Sequence, residues 1–284
     1  MKGIFVSDIH GSIARYQHLF YLVKKETPDA VFFGGDLLPL HLAKRGTIEE
    51  FIKKTIFSEM KKIKKSTDKK IRFFVILGND DPRKYEPLFL RADAEGFLDY
   101  IHQKTVSYQK QYVAGYSFVP PTPFQLKDWE RYDISQYVDV GAVSPEHGRR
   151  TVAVPLDEIK YSTIAEDLDL LSKQSPARNT IYLFHSPPYN SCLDQAGLHG
   201  KKVDHAPIDV HVGSIAIQRF IHEHQPLLTL HGHVHEAARL TGQWKEKIGM
   251  TYCLSAAHQG PELAIVRFDT YHLEEASREL VEVS

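Results

Sequence analysis

The chain has 284 residues, 42% of them hydrophobic, which is enough apolar side chain to build a large core. Its formal net charge of -1, with 25% charged residues, excludes the global basic field of a general nucleic-acid or membrane-surface binder. Two cysteines, Cys192 and Cys253, are too few for a disulfide framework and read as reduced structural thiols in a reducing compartment.

The chain opens MKGIFVSDIHG, meeting a carboxylate after Ile4, Phe5 and Val6. A secretory leader needs roughly 7–15 apolar residues, and no window approaches the ~18 of a membrane helix. The expectation is a soluble, cytoplasmic protein. Ile4–Val6 reads as a strand, and Ile13–Lys25 as an amphipathic helix capped by Ser12, with Leu19, Leu22 and Val23 on one side. Pro28 closes that helix and Ala30–Phe33 forms the second strand, a βαβ unit with parallel strands and a right-handed crossover. Thr47-Ile48-Glu49-Glu50 is a capping-box pattern that opens a helix to about Lys62. Lys61–Arg72 carries seven basic residues against one aspartate. With no interleaved aromatics it reads as a solvated helix end and turn, not a phosphate-binding patch.

After a third strand at Phe73–Leu77, the spacing predicts a helix over Pro87–Gln103 and a hairpin over Val106–Val119 that turns at Ala114-Gly115. Pro120–Pro155 is the least regular stretch, expected to be a surface excursion that overhangs the site. Thr163 opens a second capping box before the helical Leu168–Lys173, and a fourth strand ends at His185. Ser186–Val212 is a loop, and Ser214 caps a helix over Ile215–His224. Pro226–Glu236 (PLLTLHGHVHE) is a buried strand running into a glycine and two histidines. Met250–Leu254 and Leu263–Phe268 read as two more strands, followed by a polar tail to Ser284. No internal repeat or linker divides the chain, so 1–284 is expected to be one domain.

Five of these apolar runs end on metal-ligand chemistry. Ile4-Phe5-Val6 runs into Asp8-Ile9-His10, Val31–Phe33 into Gly34-Gly35-Asp36, and Phe73–Leu77 into Gly78-Asn79-Asp80. Ile181–Phe184 runs into His185, and Leu227–Leu230 into His233-Val234-His235. Functional groups in α/β sheets gather beyond the carboxyl ends of strands, so Asp8, His10, Asp36, Asn79, His185, His233 and His235 should meet at one rim. Seven donors exceed the needs of one tetrahedral zinc. Two ions about 3.5–4 Å apart that share a carboxylate would use them all. The mixed nitrogen and oxygen set suits Mn, Fe, Zn, Ni or Co without choosing between them.

These segments resemble the signature blocks of the calcineurin-like metallophosphoesterases: DxH, GD, GN, an isolated H, and GHxH, in family order over residues 8–235. Phe184–Tyr189 (FHSPPY), His211–Ser214 (HVGS) and the GHVHEA stretch resemble a prokaryotic-type branch of predicted phosphoesterases. The resemblance implies a mixed α/β fold, a two-sheet β-sandwich flanked by helices in four layers. It implies a dinuclear phosphoesterase in which a metal-activated bridging water attacks phosphorus in line. Carried over by position, it gives Asp8, His10, Asp36 and His235 to one metal, and Asp36, Asn79, His185 and His233 to the other, with Asp36 bridging.

One departure bears on the substrate. Many family members place histidine directly after the Asn, where it helps protonate the leaving group, and this chain has Asp80-Asp81 there. A carboxylate repels a phosphomonoester dianion more than a diester monoanion. The expectation is therefore a phosphodiesterase on a small or nucleotide-like ester, with Asp36, Asn79, Asp80 and His211 as catalytic candidates. Alternatives are a nuclease, whose substrate path the Lys61–Arg72 run would line, and a non-catalytic scaffold, which loss of several ligands would favour. His231 reads as structural, Trp129 and Tyr189 as packing residues, and Gly34-Gly35 as a tight turn and not a nucleotide loop.

Overall fold

The computed structural model describes residues 1–40, 47–66 and 70–283. The chain begins with β1 (Lys2–Val6), α1 (Ile13–Glu26) and β2 (Ala30–Gly34). Ser12 accepts the Arg15 N–H and starts α1 at the position its side chain predicts. The Thr47–Glu50 capping box forms, and from it α2 (Ile48–Phe51) passes through a π-helical stretch at Ile52–Phe57 into α3 (Ser58–Ser66). Next come β3 (Arg72–Ile76), α4 (Glu86–Ala94), β4 (Asp99–Tyr100), β5 (Lys104–Tyr108) and β6 (Gln111–Tyr116). The second half holds α5 (Leu156–Tyr161), α6 (Ile164–Ser172) behind its own capping box, and β7 (Thr180–Phe184). A two-residue pair, β8 (Lys202–Val203) and β9 (Ala206–Pro207), precedes α7 (Ile215–His224) and β10 (Leu228–His231). The chain closes with α8 (Ala237–Thr241), β11 (Lys245–Ile248), β12 (Thr251–Ser255), β13 (Leu263–Asp269) and β14 (His272–Val281).

Two mixed six-stranded sheets result, ordered β14-β13-β1-β2-β3-β4 and β11-β12-β10-β7-β6-β5. β1 through β4 run parallel, as do β6, β7, β10 and β12, and antiparallel strands finish every edge but the one that β4 forms. Side chains alternate between faces, and the core divides accordingly. Phe5, Phe32 and Phe74 of the first sheet share one apolar cluster with Ile181, Leu183 and Leu230 of the second. On the outer faces Phe20 of α1 meets Phe33, ring centres 6.4 Å apart, and Phe220 of α7 meets Tyr182 at 4.9 Å. The order is helix, sheet, sheet, helix, the four layers expected. Parallel neighbours send their carboxyl ends the same way, so β1, β2 and β3 finish side by side, as do β7 and β10.

Several elements depart from the sequence reading. The helix expected over Pro87–Gln103 stops at Ala94: Gly96 takes a φ of +75°, and the chain turns into β4, where Asp99 receives the Arg72 guanidinium. The hairpin turns at Gln109-Lys110, with Gln109 at φ +54°, while Ala114 and Gly115 lie inside β6. Gly115 is there for close approach, since a Cβ would stand 2.6 Å from Ile101 Cγ1. The polar tail is β14, with Leu273 and Ala276 buried under charged neighbours, and β11 was not anticipated either. Pro120–Pro155 lacks named strands or helices but is no mere surface excursion. Trp129 is fully buried and donates its indole N–H to the Asp81 carbonyl at 2.8 Å, and Lys127 and Glu130 form a buried ion pair. In the basic run, Lys61 pairs with Glu95 and Lys62 with Glu59 at the solvated surface, while residues 67–69 lie outside the described residues.

Candidate metal centre

The strand ends turn sharply. Asp8, His10, Asp36 and His233 take positive φ values of 55°, 47°, 53° and 72°. Each such residue with a Cβ costs of order 1–2 kcal/mol. Hydrogen bonds between the loops hold the strain: Asp8 N–H donates to Gly35 O (3.0 Å), His10 N–H to Asp36 O (2.9 Å) and Gly232 N–H to His185 O (2.9 Å). Close approach also selects residue type, because a Cβ on Gly232 would overlap the Ser7 hydroxyl and lie 2.8 Å from Asp8 Oδ2.

All seven sequence-predicted donors meet at this rim. One ligand atom each from Asp8, His10, Asp36 and His235 lies within 4.8 Å of the others. His185 Nε2 stands 3.3 Å from Asp36 Oδ2 and 3.0 Å from Asn79 Oδ1. His233 sends its backbone N–H to the Asp8 carboxylate, and its ring centre is 5.3 Å from that of His185. His185 Nδ1 donates to the Gly34 carbonyl at 2.7 Å, which turns Nε2 toward Asp36 and Asn79.

The electrostatics call for positive charge. Burial pushes the Asp8 carboxyl up, but the hydrogen bond and charge of His235, with His185 and His10, take it well below the ordinary range. Asp36 is also lowered, His185 outweighing its burial. Conversely, burial works against a proton on His185, yet Asp36 and Asp8 raise it to about 10. His235, opposed by burial, is raised to about 9 by Asp8. His233 drops to about 3 through burial and the neighbouring His185. Two imidazole nitrogens, His10 Nε2 and His235 Nε2, face each other at 3.2 Å, and buried His10 Nδ1 has no hydrogen-bond partner among the described residues. Carboxylates that draw protons onto clustered imidazoles, with two nitrogen lone-pair positions converging, fit a divalent cation.

The calcineurin-like phosphoesterase family model matches residues 1–237. This chain belongs to that family. A protein of Thermus thermophilus shares the fold at 16% identity and a TM-score of 0.57, over 99% of both chains. So does a dimetal phosphatase from Danio rerio, at 12% identity and a TM-score of 0.55, over 100% of this chain and 99% of that one. At such identities the likeness is one of fold. No protein of curated function matches the chain. The calcineurin-like phosphoesterases are dinuclear metal-dependent hydrolases of phosphate esters, and the Asp8–His10–Asp36–His235 cluster is where this member offers donors to a cation.

The rim opens into a cavity of about 340 Å³, walled by Asp36, Asn79, Asp80, His233 and His235 on one side. Pro120–Phe124, Asp139–Ala142, Ile208 and His211 are among the residues that line the remainder, so parts of the irregular 120–155 stretch do overhang the donors. Among the described residues no lysine or arginine lines it. Asp80 accepts from the Asn79 amide (3.2 Å), gives its own N–H to Asp36 Oδ1 (2.8 Å), and is raised to about 6 by burial and by Asp36. His231 bonds Ser186 O and the Thr229 hydroxyl, a structural histidine.

Three residues near the rim escaped the sequence reading. Arg15 of α1 donates to the carbonyls of Asp8, Gly260 and Pro261 and pins the Asp8 turn. Fully buried Asp81 gathers the N–H groups of Leu37, Leu38 and Gly78. Asp194 receives His211 Nδ1 at 2.7 Å. Asp81 adjoins the Asn79 motif and was open to notice as an acceptor for strand-end amides; nothing in the sequence marks Arg15 or Asp194.

Proposed function

We propose that this protein is a dinuclear metal-dependent phosphodiesterase acting on a small or nucleotide-like ester. Asp8, His10, Asp36 and His235 hold one cation, Asp36, Asn79, His185 and His233 the other, with Asp36 shared. Bound there, two cations supply a water of lowered pKa and neutralise phosphoryl oxygens. Mn, Fe, Zn, Ni or Co suit the mixed donors. The residues do the rest: strained turns fix the donors before any ligand arrives, and the overhanging loops screen the rim from bulk water.

The observation that carries the diester reading is the Asp80 carboxylate on the cavity wall, which accepts the Asn79 amide while the Asp80 backbone N–H donates to Asp36. It is ionised at neutral pH even when raised to about 6. A dianionic monoester meets that charge at greater cost than a monoanionic diester. A nuclease reading draws little support, because Lys61, Lys62 and Lys65 border a different groove with Phe97 and Arg91. A silent scaffold is disfavoured by the complete donor set. We read 1–284 as one domain, since β13 lies between β1 and β14 in one sheet. Among the described residues no helix is long and apolar enough to cross a membrane.

The test is chelation followed by Mn(II) add-back, with an activated diester and its monoester as substrates. Activity should vanish and return, and the diester should be the faster substrate. Asp36→Asn should remove more activity than Asn79→Ala, which loses one neutral donor. Full turnover after exhaustive chelation, or a faster monoester, would contradict the reading.

A further inference from the structure

The loop between β7 and α7 places a buried carboxylate beneath a histidine of the cavity wall. Asp194 is wholly buried and accepts the N–H groups of Asn190 (2.9 Å), Ser191 (3.0 Å) and Gly213 (3.2 Å). Its Oδ1 also stands 2.7 Å from His211 Nδ1. Tyr189 meets the ring edge-on, centres 5.8 Å apart, and donates its hydroxyl to Asp209, whose other oxygen accepts the backbone N–H of His211 at 2.9 Å and so fixes the main chain that carries the ring. Among the described residues no hydrogen bond engages His211 Nε2, and His211 shares the cavity with Asp36, Asn79, His233 and His235.

A carboxylate on Nδ1 fixes the tautomer and supports the cationic ring, which is the arrangement that lets Nε2 give up a proton. We infer that Asp194 and His211 are the proton-donating pair of the hydrolysis, His211 as general acid and Asp194 as its positioning residue. This rests on the phosphodiesterase reading above. A water oxygen forms the new bond to phosphorus and the ester P–O bond breaks, its electron pair staying on the departing oxygen. The proton on His211 Nε2 goes to that oxygen, and the ring is reprotonated with the proton released by the attacking water. The products are an alcohol and a phosphomonoester. The pair deepens the substrate class: with a donor in place, esters of ordinary alcohols, whose alkoxides leave poorly unprotonated, become substrates.

The experiment compares kcat for methyl phenyl phosphate and methyl 4-nitrophenyl phosphate in Mn(II)-loaded protein. His211→Ala should lower turnover of the phenyl ester by roughly 100-fold, at the low end for general acid catalysis, and of the nitrophenyl ester by less than about 10-fold. Added imidazole should restore part of the phenyl-ester rate, with bound Mn(II) unchanged. Asp194→Asn should repeat the same order of losses; because Asp194 also ties three amides, His211→Ala carries the decision. Equal losses on both esters, or no loss, overturn the pair. A wild-type protein inactive on both esters overturns the phosphodiesterase reading itself, and the pair with it.

Discussion

The carboxylate of Asp81 accepts the backbone N–H of Leu37 at 2.9 Å, and so the loop that follows Asp36 is fastened to the loop that carries Asn79. The same carboxylate takes the N–H groups of Leu38 (2.7 Å) and Gly78 (2.9 Å). Burial and nearby Asp36 raise Asp81 to about 7, against the pull of these three amides. Asp81→Ala would leave the amides buried without an acceptor, at ~1–3 kcal/mol for each. Removing a buried carboxylate recovers part of that. We expect a net loss of about 3 kcal/mol in urea unfolding of the metal-stripped protein, together with weaker Mn(II) binding. Unchanged stability and affinity would mean that other contacts align the two loops.

Gly78 sits where a side chain would displace donors. A Cβ there would overlap Asp36 Oδ1 and lie 2.6 Å from His185 Nε2. Gly78→Ala should therefore cut Mn(II) affinity by more than the roughly 10–100-fold typical of disturbing a ligand's supporting contacts. The fold should survive, since the strand residues before it are untouched. Calorimetric Mn(II) titration beside circular dichroism reads both, and tight binding by the variant would show that the Asp36 loop yields.

Metal removal and pH are linked through His185 and His235, raised to about 10 and about 9 from an ordinary value near 6.5. In metal-stripped protein at pH 7 both rings carry a proton that a cation must displace. Loading with Mn(II) should release two protons, one from each ring, and apparent affinity should climb from pH 7 to pH 9. Titration in buffers of different ionisation enthalpy counts the protons. The raised values also stabilise the stripped fold fully below pH 6.5, and that contribution is lost as pH rises through 9 to 10. The Tm of stripped protein should fall over that window; a rising Tm would reject the assignment.

Asp80→His tests the charge argument. An imidazolium in its place attracts the extra negative charge of a monoester and offers a proton to the leaving oxygen. The ratio of kcat/KM for monoester over diester should rise. The gain should fall short of the roughly 10²–10⁴-fold available to a well-oriented acid, because no acceptor is built to orient a histidine there. An unchanged ratio would separate substrate preference from Asp80 altogether.

Much of this protein was legible in its sequence, for a local reason. Strand periodicity and caps depend on neighbours in the chain, so β1, β2, β3, β7 and β10 and the caps at Ser12, Thr47, Thr163 and Ser214 could be read directly. Residues able to bind a metal are of few types, so Asp8, His10, Asp36, Asn79, His185, His233 and His235 stood out as candidate donors once each followed an apolar run. The tertiary structure decided what depends on distant chain. β14 is a strand because β13 presents it an edge, though His272–Val281 reads as a polar tail. Asp81 matters through the amides of Leu37 and Leu38, 44 and 43 residues away, and Asp194 through His211, 17 residues on. A carboxylate's partners are fixed by where folding delivers other groups' N–H bonds, and no pattern within the carboxylate's own segment records that.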